Sequence, residues 1–320
     1  MKFLIIRFSS IGDIVLTTPV IRCLKNQIKN SEVHYLTKKS FSSVLKNNPY
    51  VDKFHFIESS VKENIDSLRE EKFDFIIDLH NNLRSFQVKK FLGVKSYSFR
   101  KLNFKKWILV NFKMNRMPPV HIVDRYMNTV KEFSIENDGA GLDFFLDSGS
   151  ESILNLLPEY FNRGFYALVL GGTYFTKQIP QKKLYEICSK SNLPLVLLGG
   201  SSEISSAQDL SEKFDNKVFN VCGKLSLNES AALIYQSKKV FTSDTGLMHI
   251  ASAFKKQIIS FWGNTVPEFG MSPYLPVANS IILENKNIKC RPCSKLGYHQ
   301  CPKGHFKCMN DLVISQNLFD

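Results

Sequence analysis

Residues 240–254 read VFTSDTGLMHIASAF. Val240, Phe241, Thr242 and Ser243 have the character of a buried strand, and Leu247, Ile250, Ala251 and Phe254 recur at helical spacing. Between them lies Asp244-Thr245-Gly246, a small polar turn that ends a strand and opens a helix. N–H groups at a helix start have no partner within the helix, so such a junction binds phosphate well. Asp244 either caps the helix or holds a ligand hydroxyl across the turn, and His249 falls near the same mouth. Asp-Thr-Gly is also a signature of proteases in which two carboxylates share a proton inside an all-β fold. The second copy would be Asp147-Ser148-Gly149, but that triplet sits in a polar, linker-like stretch. The chain around both alternates strand with helix, and the protease reading is rejected.

Working outward, the same alternation fills the second half. A strand at 166–170 ends in Gly171-Gly172-Thr173, with Thr176 and Lys177 just beyond; a strand at 194–198 ends in Gly199-Gly200; a strand at 257–261 ends in Trp262-Gly263. Helices are expected at 181–189, 205–214 and 226–237, and a short strand at 219–221. Strand ends rich in glycine line one edge of a sheet with backbone that a ligand can approach closely. In the first half, strands at 2–8, 32–36, 53–56 and 73–79 alternate with helices that reach about Leu24 and cover 41–46 and 62–71. The loops Ser9-Ser10-Ile11-Gly12-Asp13 and His80-Asn81-Asn82 follow strands, at the edge where open α/β sheets bind ligands. Polar residues collect between 143 and 164. The expected organisation is α/β, with domains at 1–150 and 151–320 built on parallel sheets and facing each other across a cleft.

At 320 residues, with 43% hydrophobic and 22% charged content, the chain suits two globular domains. No apolar run approaches the roughly 20 residues of a membrane span, and Arg7 cuts the first apolar run too short for a signal peptide. A cytoplasmic protein with reduced cysteines is expected. The net charge of +13 is unevenly placed: residues 79–123 hold ten Lys and Arg and no acid, interleaved with aromatics such as Phe104, Trp107 and Phe112. That stretch implies an anionic partner, either lipid headgroups or a phosphorylated substrate. No nucleic-acid motif is present, so nucleic acid ranks last.

In the second domain, Thr173, Lys177 and the helix amides after Asp244 form a set suited to a diphosphate. The chain lacks G-x-G-x-x-G and G-x-x-x-x-G-K-[ST], which excludes the common dinucleotide and phosphate-loop sites. It also lacks Asp-x-Asp, so diphosphate charge falls to protein groups without a catalytic metal. In the first domain the acid at the ligand edge is Asp13, which either caps its helix or acts as a general base.

Residues 6–19, IRFSSIGDIVLTTP, resemble the opening of the ADP-heptose:lipopolysaccharide heptosyltransferases, glycosyltransferase family 9. DTGLMHIA at 244–251 is similar to that family's donor motif, and GGT at 171–173 with Thr176-Lys177 and DLHNNLRS at 78–85 follow its pattern in order. The resemblance implies a GT-B fold of two Rossmann-like doubly wound domains, inversion at the anomeric carbon and no required metal. It implies Asp13 as base, and Thr173, Thr176, Lys177, Asp244, Thr245, Gly246 and His249 at the donor. It further implies Glu203 on the ribose, Leu225 near the adenine, and Asn81, Arg84 and Arg100 toward the acceptor. The implied partners are ADP-heptose, a phosphorylated inner-core glycolipid and the anionic inner face of the cytoplasmic membrane, on which the enzyme would be peripheral. A non-catalytic binding protein would have no need of both Asp13 and Lys177, and an epimerase of the same fold would have no need of the basic aromatic stretch.

The tail at 290–308 contains Cys290, Cys293, Cys301 and Cys308 with His299 and His305 nearby. Two readings stand: a structural zinc held by the four thiolates, or reduced cysteines packed in a loop-rich tail. Cys23, Cys188 and Cys222 fall in apolar patterns and are expected in the core.

Overall fold

In a computed structural model, which describes residues 1–58 and 60–320, the first apolar run forms β1 (Lys2–Ile6). It stops short of 8 because Arg7 turns inward, its Nε donating to the Ser9 carbonyl and its Nη1 to the Leu79 carbonyl, both at 2.7 Å. Strands β2 (Glu32–Lys38), β3 (Lys53–Ile57), β4 (Phe75–Asp78) and β5 (Ser96–Ser98) complete a parallel sheet in the order β3-β2-β1-β4-β5. Strand order reverses between β1 and β4. Loops leaving those two strands diverge there and open a crevice at their carboxyl ends. The helix expected behind β1 is two helices, Ile11–Val15 and Thr18–Gln27, with Pro19 in the first turn of the second.

The second sheet contains β6 (Tyr166–Val169), β7 (Leu195–Leu198), β8 (Val218–Asn220), β9 (Lys239–Ser243), β10 (Gln257–Trp262) and β11 (Ile281–Glu284). All are parallel in the order β11-β10-β9-β6-β7-β8, so the reversal lies between β6 and β9. Side chains alternate across this sheet with period two. Tyr166, Leu168, Leu195, Leu197, Phe241 and Ile259 enter one core, while Ala167, Val169, Val196, Leu198, Val240 and Ile258 enter the other. Strands apolar on both faces require cover on both. The helix Gly246–Ala253 supplies it on one side through Met248 and Ala251, and the tail on the other through Phe306, Met309, Leu312 and Phe319.

The chain divides into two units, Met1–Leu102 with Val120–Phe145, and Asn103–Pro119 with Leu146–Asp320. The segment Asn103–Pro119, which the sequence placed with the first domain, therefore groups with the second unit. Its helix Asn103–Phe112 buries Leu109 against Val266 and Phe269. Within the first unit, the buried Arg22 bonds Asp138 at 2.7 Å, pairs with Asp143 and holds the last segment to the helix Thr18–Gln27. Two expected helices are weaker than their apolar spacing suggests: Lys39–Val44 is a 3-10 helix, and 62–71 is a 3-10 turn followed by Ile65–Glu70. Strands β5 and β11 and the helix Asn103–Phe112 were not anticipated; β5 and β11 are edge strands of three and four residues.

Candidate active site

Residues from four strand ends meet at the carboxyl edge of the second sheet. After β9, Thr245 and not Asp244 caps the helix: its hydroxyl accepts from the Met248 N–H at 3.4 Å and lies 3.1 Å from the Thr242 hydroxyl. Asp244 is left to face the Lys177 ammonium at 2.6 Å and the Thr265 hydroxyl at 3.1 Å, both on Oδ2. Lys177 follows β6 and Thr265 follows β10, so three loops converge on one carboxylate beside a helix N-terminus. Glu203, 7% exposed, follows β7. Its Oε2 accepts from the Gly200 N–H at 2.8 Å and its Oε1 from the Ser202 hydroxyl at 2.6 Å. A Cβ on Gly171 would stand 3.2 Å from Oε2, and one on Gly199 3.0 Å from the Glu203 Cβ. Glycine at both positions is what lets this carboxylate lie across the two strand ends.

Not every expected donor residue is open to a ligand. Thr173 is exposed and Leu225 half-buried. Thr176 is 1% exposed, and its hydroxyl lies between the Tyr298 N–H at 2.8 Å and the Tyr298 carbonyl at 3.2 Å. The turn that carries Lys177 is thus fastened through Thr176, which holds the loop in place of a phosphate. His249 is buried at 2% within its helix and does not line the mouth. Thr265, absent from the sequence reading, belongs to the site; its signal was the strand end at Trp262-Gly263 carried two residues further.

In the first unit, Asp13 lies at the third position of the helix Ile11–Val15. Its Oδ2 accepts from the Ser10 N–H at 3.3 Å and the Ser10 hydroxyl at 2.8 Å, a capping box, while its Oδ1 faces Arg7 Nη2 at 2.6 Å. Burial disfavours the Arg7 charge, yet the facing Asp13 raises its pKa above the ordinary guanidinium value. Capping is therefore real, and Asp13 also neutralises a buried cation. Across the strand reversal, the buried Asp78 accepts from the N–H groups of His80 at 3.0 Å and Asn81 at 2.7 Å, which fixes the loop after β4. Asn81 donates to the Phe99 carbonyl at 2.9 Å, next to exposed Arg100, and Arg84 is exposed on the first turn of the helix Leu83–Leu92.

His80 Nδ1 accepts from the Phe8 N–H at 3.4 Å, so the neutral ring carries its proton on Nε2. Burial, with help from Arg7 and Lys101, lowers its pKa to about 4. Burial and His34 lower His55 likewise to about 4. An unfolded chain protonates both near 6.5, so it binds more protons than the folded chain between about pH 4 and 6.5. Stability should therefore fall as pH drops through that window. Thermal melts from pH 7 to 4.5 check this, and His80→Gln should flatten the slope.

Among the described residues, the metal-type ligand atoms that converge within 4.8 Å belong to His34, His55 and Glu71, a set not anticipated from sequence. The His34 and His55 rings meet at 3.0 Å, and His34 Nε2 bonds Glu32 at 2.7 Å. Lys2 lies 3.1 Å from Glu32 and 3.2 Å from Glu71, and Lys53 also pairs with Glu71, so both carboxylates are compensated without an ion. The four tail cysteines lie near one another without meeting that spacing, Cys293 interacting with Cys290 and Cys308, and Cys308 with Cys290 and Cys301. Cys308 is buried in the core beneath the tail, where burial pushes its thiol up to about 11, and burial likewise pushes Cys293 up to about 12. Cys290, Cys293 and Cys301 are half-buried, and Cys23, Cys188 and Cys222 are buried as expected.

Two doubly wound parallel sheets, one with a carboxylate–lysine–hydroxyl cluster at a helix start, give the architecture of α/β proteins that take ligands at the carboxyl ends of their strands. The profile of glycosyltransferase family 9 (heptosyltransferase) matches residues 62–299, and the chain belongs to that family. Lipopolysaccharide heptosyltransferase 1 of Campylobacter coli is 26% identical over 290 residues, 83% of this chain and 84% of the relative. The family 9 glycosyl transferase structure from Veillonella parvula has a TM-score of 0.73 at 19% identity, covering 89% of this chain and 86% of that one. Escherichia coli ADP-heptose lps heptosyltransferase II has a TM-score of 0.71 at 19% identity, covering 97% and 98%. The fold is GT-B.

Proposed function

We propose that the chain is an inverting glycosyltransferase that moves heptose from ADP-heptose to a lipopolysaccharide inner-core-type acceptor. The observation that carries this reading is the convergence of Lys177, Asp244 and Thr265 beside the start of the helix Gly246–Ala253. A diphosphate placed there meets a cation and free amides, and Glu203 lies two strands away, where a ribose would present its hydroxyls. The family and the relatives' names support heptose as the sugar.

In the reaction, the acceptor hydroxyl attacks the anomeric carbon from the face opposite the diphosphate. The new carbon–oxygen bond forms as the carbon–phosphate oxygen bond breaks, and the electron pair leaves with ADP. Asp13 receives the acceptor proton on Oδ2, where the acceptor hydroxyl takes the place of the Ser10 hydroxyl, and Arg7 holds the other oxygen. Lys177 and the helix amides stabilise the charge growing on the leaving diphosphate, so no metal is needed. A panel of nucleotide-sugars tests the donor. ADP-heptose should give product fastest, and faster transfer from a uridine or guanosine diphosphate sugar would reassign the site.

The enzyme acts at the cytoplasmic face of the membrane, bound peripherally to anionic lipid. No helix among the described residues is long and apolar enough to cross a membrane. The helix Asn103–Phe112 presents Phe104 (71% exposed), Trp107 (47%) and Phe112 outward, with Lys105 exposed on the same helix and Arg116 just beyond it. Aromatic rings with flanking cations suit a headgroup interface. Some cations of 79–123 are compensated, since Lys89 pairs with Asp78 at 2.9 Å and Lys95 with Glu132 at 3.6 Å. Binding to anionic vesicles should fall steeply as salt rises through physiological strength, where screening acts over about 8 Å. Replacing Phe104 and Trp107 by Ala should weaken it further. Equal binding to neutral and anionic vesicles would contradict this placement.

A further inference from the structure

The cysteine-rich tail touches both loops that present the cation and the hydroxyl to Asp244. Three successive carbonyls of the loop after β10 accept from it. Arg291 Nε donates to Gly263 at 2.5 Å, the Cys293 N–H to Asn264 at 3.1 Å, and Arg291 Nη2 to Thr265 at 3.0 Å. Arg291 is itself buried and anchored, its Nη2 facing Glu284 at the end of β11 at 3.1 Å and its Nη1 donating to the Asn285 carbonyl at 3.0 Å. On the other side, Tyr298 bonds Thr176 through both its N–H and its carbonyl, one residue before Lys177. Two glycines permit this closeness. A Cβ on Gly297, at φ +143°, would stand 2.5 Å from the Tyr174 Cβ, and a Cβ on Gly263 would stand 2.7 Å from the Thr176 carbonyl oxygen.

The loop does not hold itself in this shape. Asn264 is 1% exposed, and neither polar atom of its side chain has a hydrogen-bond partner among the described residues. A buried amide in that state destabilises the conformation that contains it. Its placement must come from the neighbours that bond its backbone: the Cys293 N–H of the tail at 3.1 Å, and the Thr176 carbonyl at 3.4 Å, on a residue that the tail's Tyr298 fastens in turn.

We infer that the tail positions the diphosphate-binding set, with Arg291 as the positioning residue that fixes Thr265 and, through it, Asp244 and Lys177. This rests on reading that set as the donor site. Arg291→Lys keeps the charge facing Glu284 but cannot reach both carbonyls in a planar fork. The test is calorimetric titration with ADP of the wild type, Arg291→Lys, Lys177→Ala and the double variant, alongside melting temperature and the KM for donor and for acceptor.

The expected result for Arg291→Lys is ADP affinity lower by roughly tenfold, about 1.4 kcal/mol. Donor KM should rise with it while acceptor KM stays unchanged. Little further loss is expected when Lys177 is already Ala, because the two then act through one arrangement. Additive losses, or unchanged affinity in a folded Arg291→Lys, would overturn the inference while leaving the donor site intact. Absence of ADP binding by the wild type would overturn both. If Arg291→Lys does not fold, Thr265→Val and Thr265→Ser decide: Val should lose the same factor and Ser restore it, whereas equal affinities would overturn the inference.

Discussion

Asp13→Asn is expected to bind ADP normally and to lose roughly 10²–10⁴ in turnover, the usual weight of a general base. Asparagine can still accept from the Ser10 N–H and hydroxyl, so the start of the helix Ile11–Val15 should survive. The substitution also removes the negative charge that faces Arg7 at 2.6 Å, and Arg7 is buried. A melting temperature lowered by the equivalent of about 1–3 kcal/mol should therefore accompany the loss of turnover. Assays run well below that melting temperature separate the two effects. A folded Asp13→Asn with near-normal turnover would reduce Asp13 to a cap and counter-ion. His80 would be a poor replacement base, because its neutral ring already carries a proton on Nε2.

Lys177→Ala should weaken ADP binding by about 1.5–3 kcal/mol, a factor of roughly 10–150. The upper part of that range is expected. With Lys177 gone, Asp244 keeps the Thr265 hydroxyl but loses the cation 2.6 Å away, and its charge then faces the diphosphate uncompensated. Titration in excess chelator checks the second half of the statement. Affinity should be unchanged when divalent ions are removed, and a large loss would return the diphosphate charge to a metal. Unchanged affinity in Lys177→Ala itself would move the donor elsewhere.

The fold was legible because its signals are local. Strands such as 166–170 are apolar on both faces, and turns such as Gly171-Gly172 and Asp244-Thr245-Gly246 mark where a parallel sheet meets its ligands. Short edge strands carry little of that signal; β5 is the three residues Ser96–Ser98. The helix Asn103–Phe112 was hidden for another reason. Its aromatics face outward while Leu109 is buried, so the apolar stripe that normally marks a helix face is inverted.

The site divides in the same way. Residue types and spacing pointed to Asp13, Lys177 and Asp244, and the family resemblance to Glu203, all in the loops and first turns that follow strands. They did not show that Thr245 would take the cap and release Asp244, since either residue type caps helices well. Nor did they reveal that Thr176 is buried against Tyr298, or that Arg291 reaches Gly263 and Thr265. Those pairings span 122, 28 and 26 positions and come only from tertiary packing. Cysteine spacing left the zinc and packed readings both open for a similar reason: spacing carries no information about which thiols the core will bury, and it buries Cys308.

The most direct measurement is release of ADP from ADP-heptose by the purified chain, with and without a truncated lipopolysaccharide acceptor and in excess chelator. ADP should appear at a rate that depends on the acceptor, together with a heptosylated product of inverted anomeric configuration. Acceptor-independent release, or a product that retains configuration, would contradict direct displacement with Asp13 as the base.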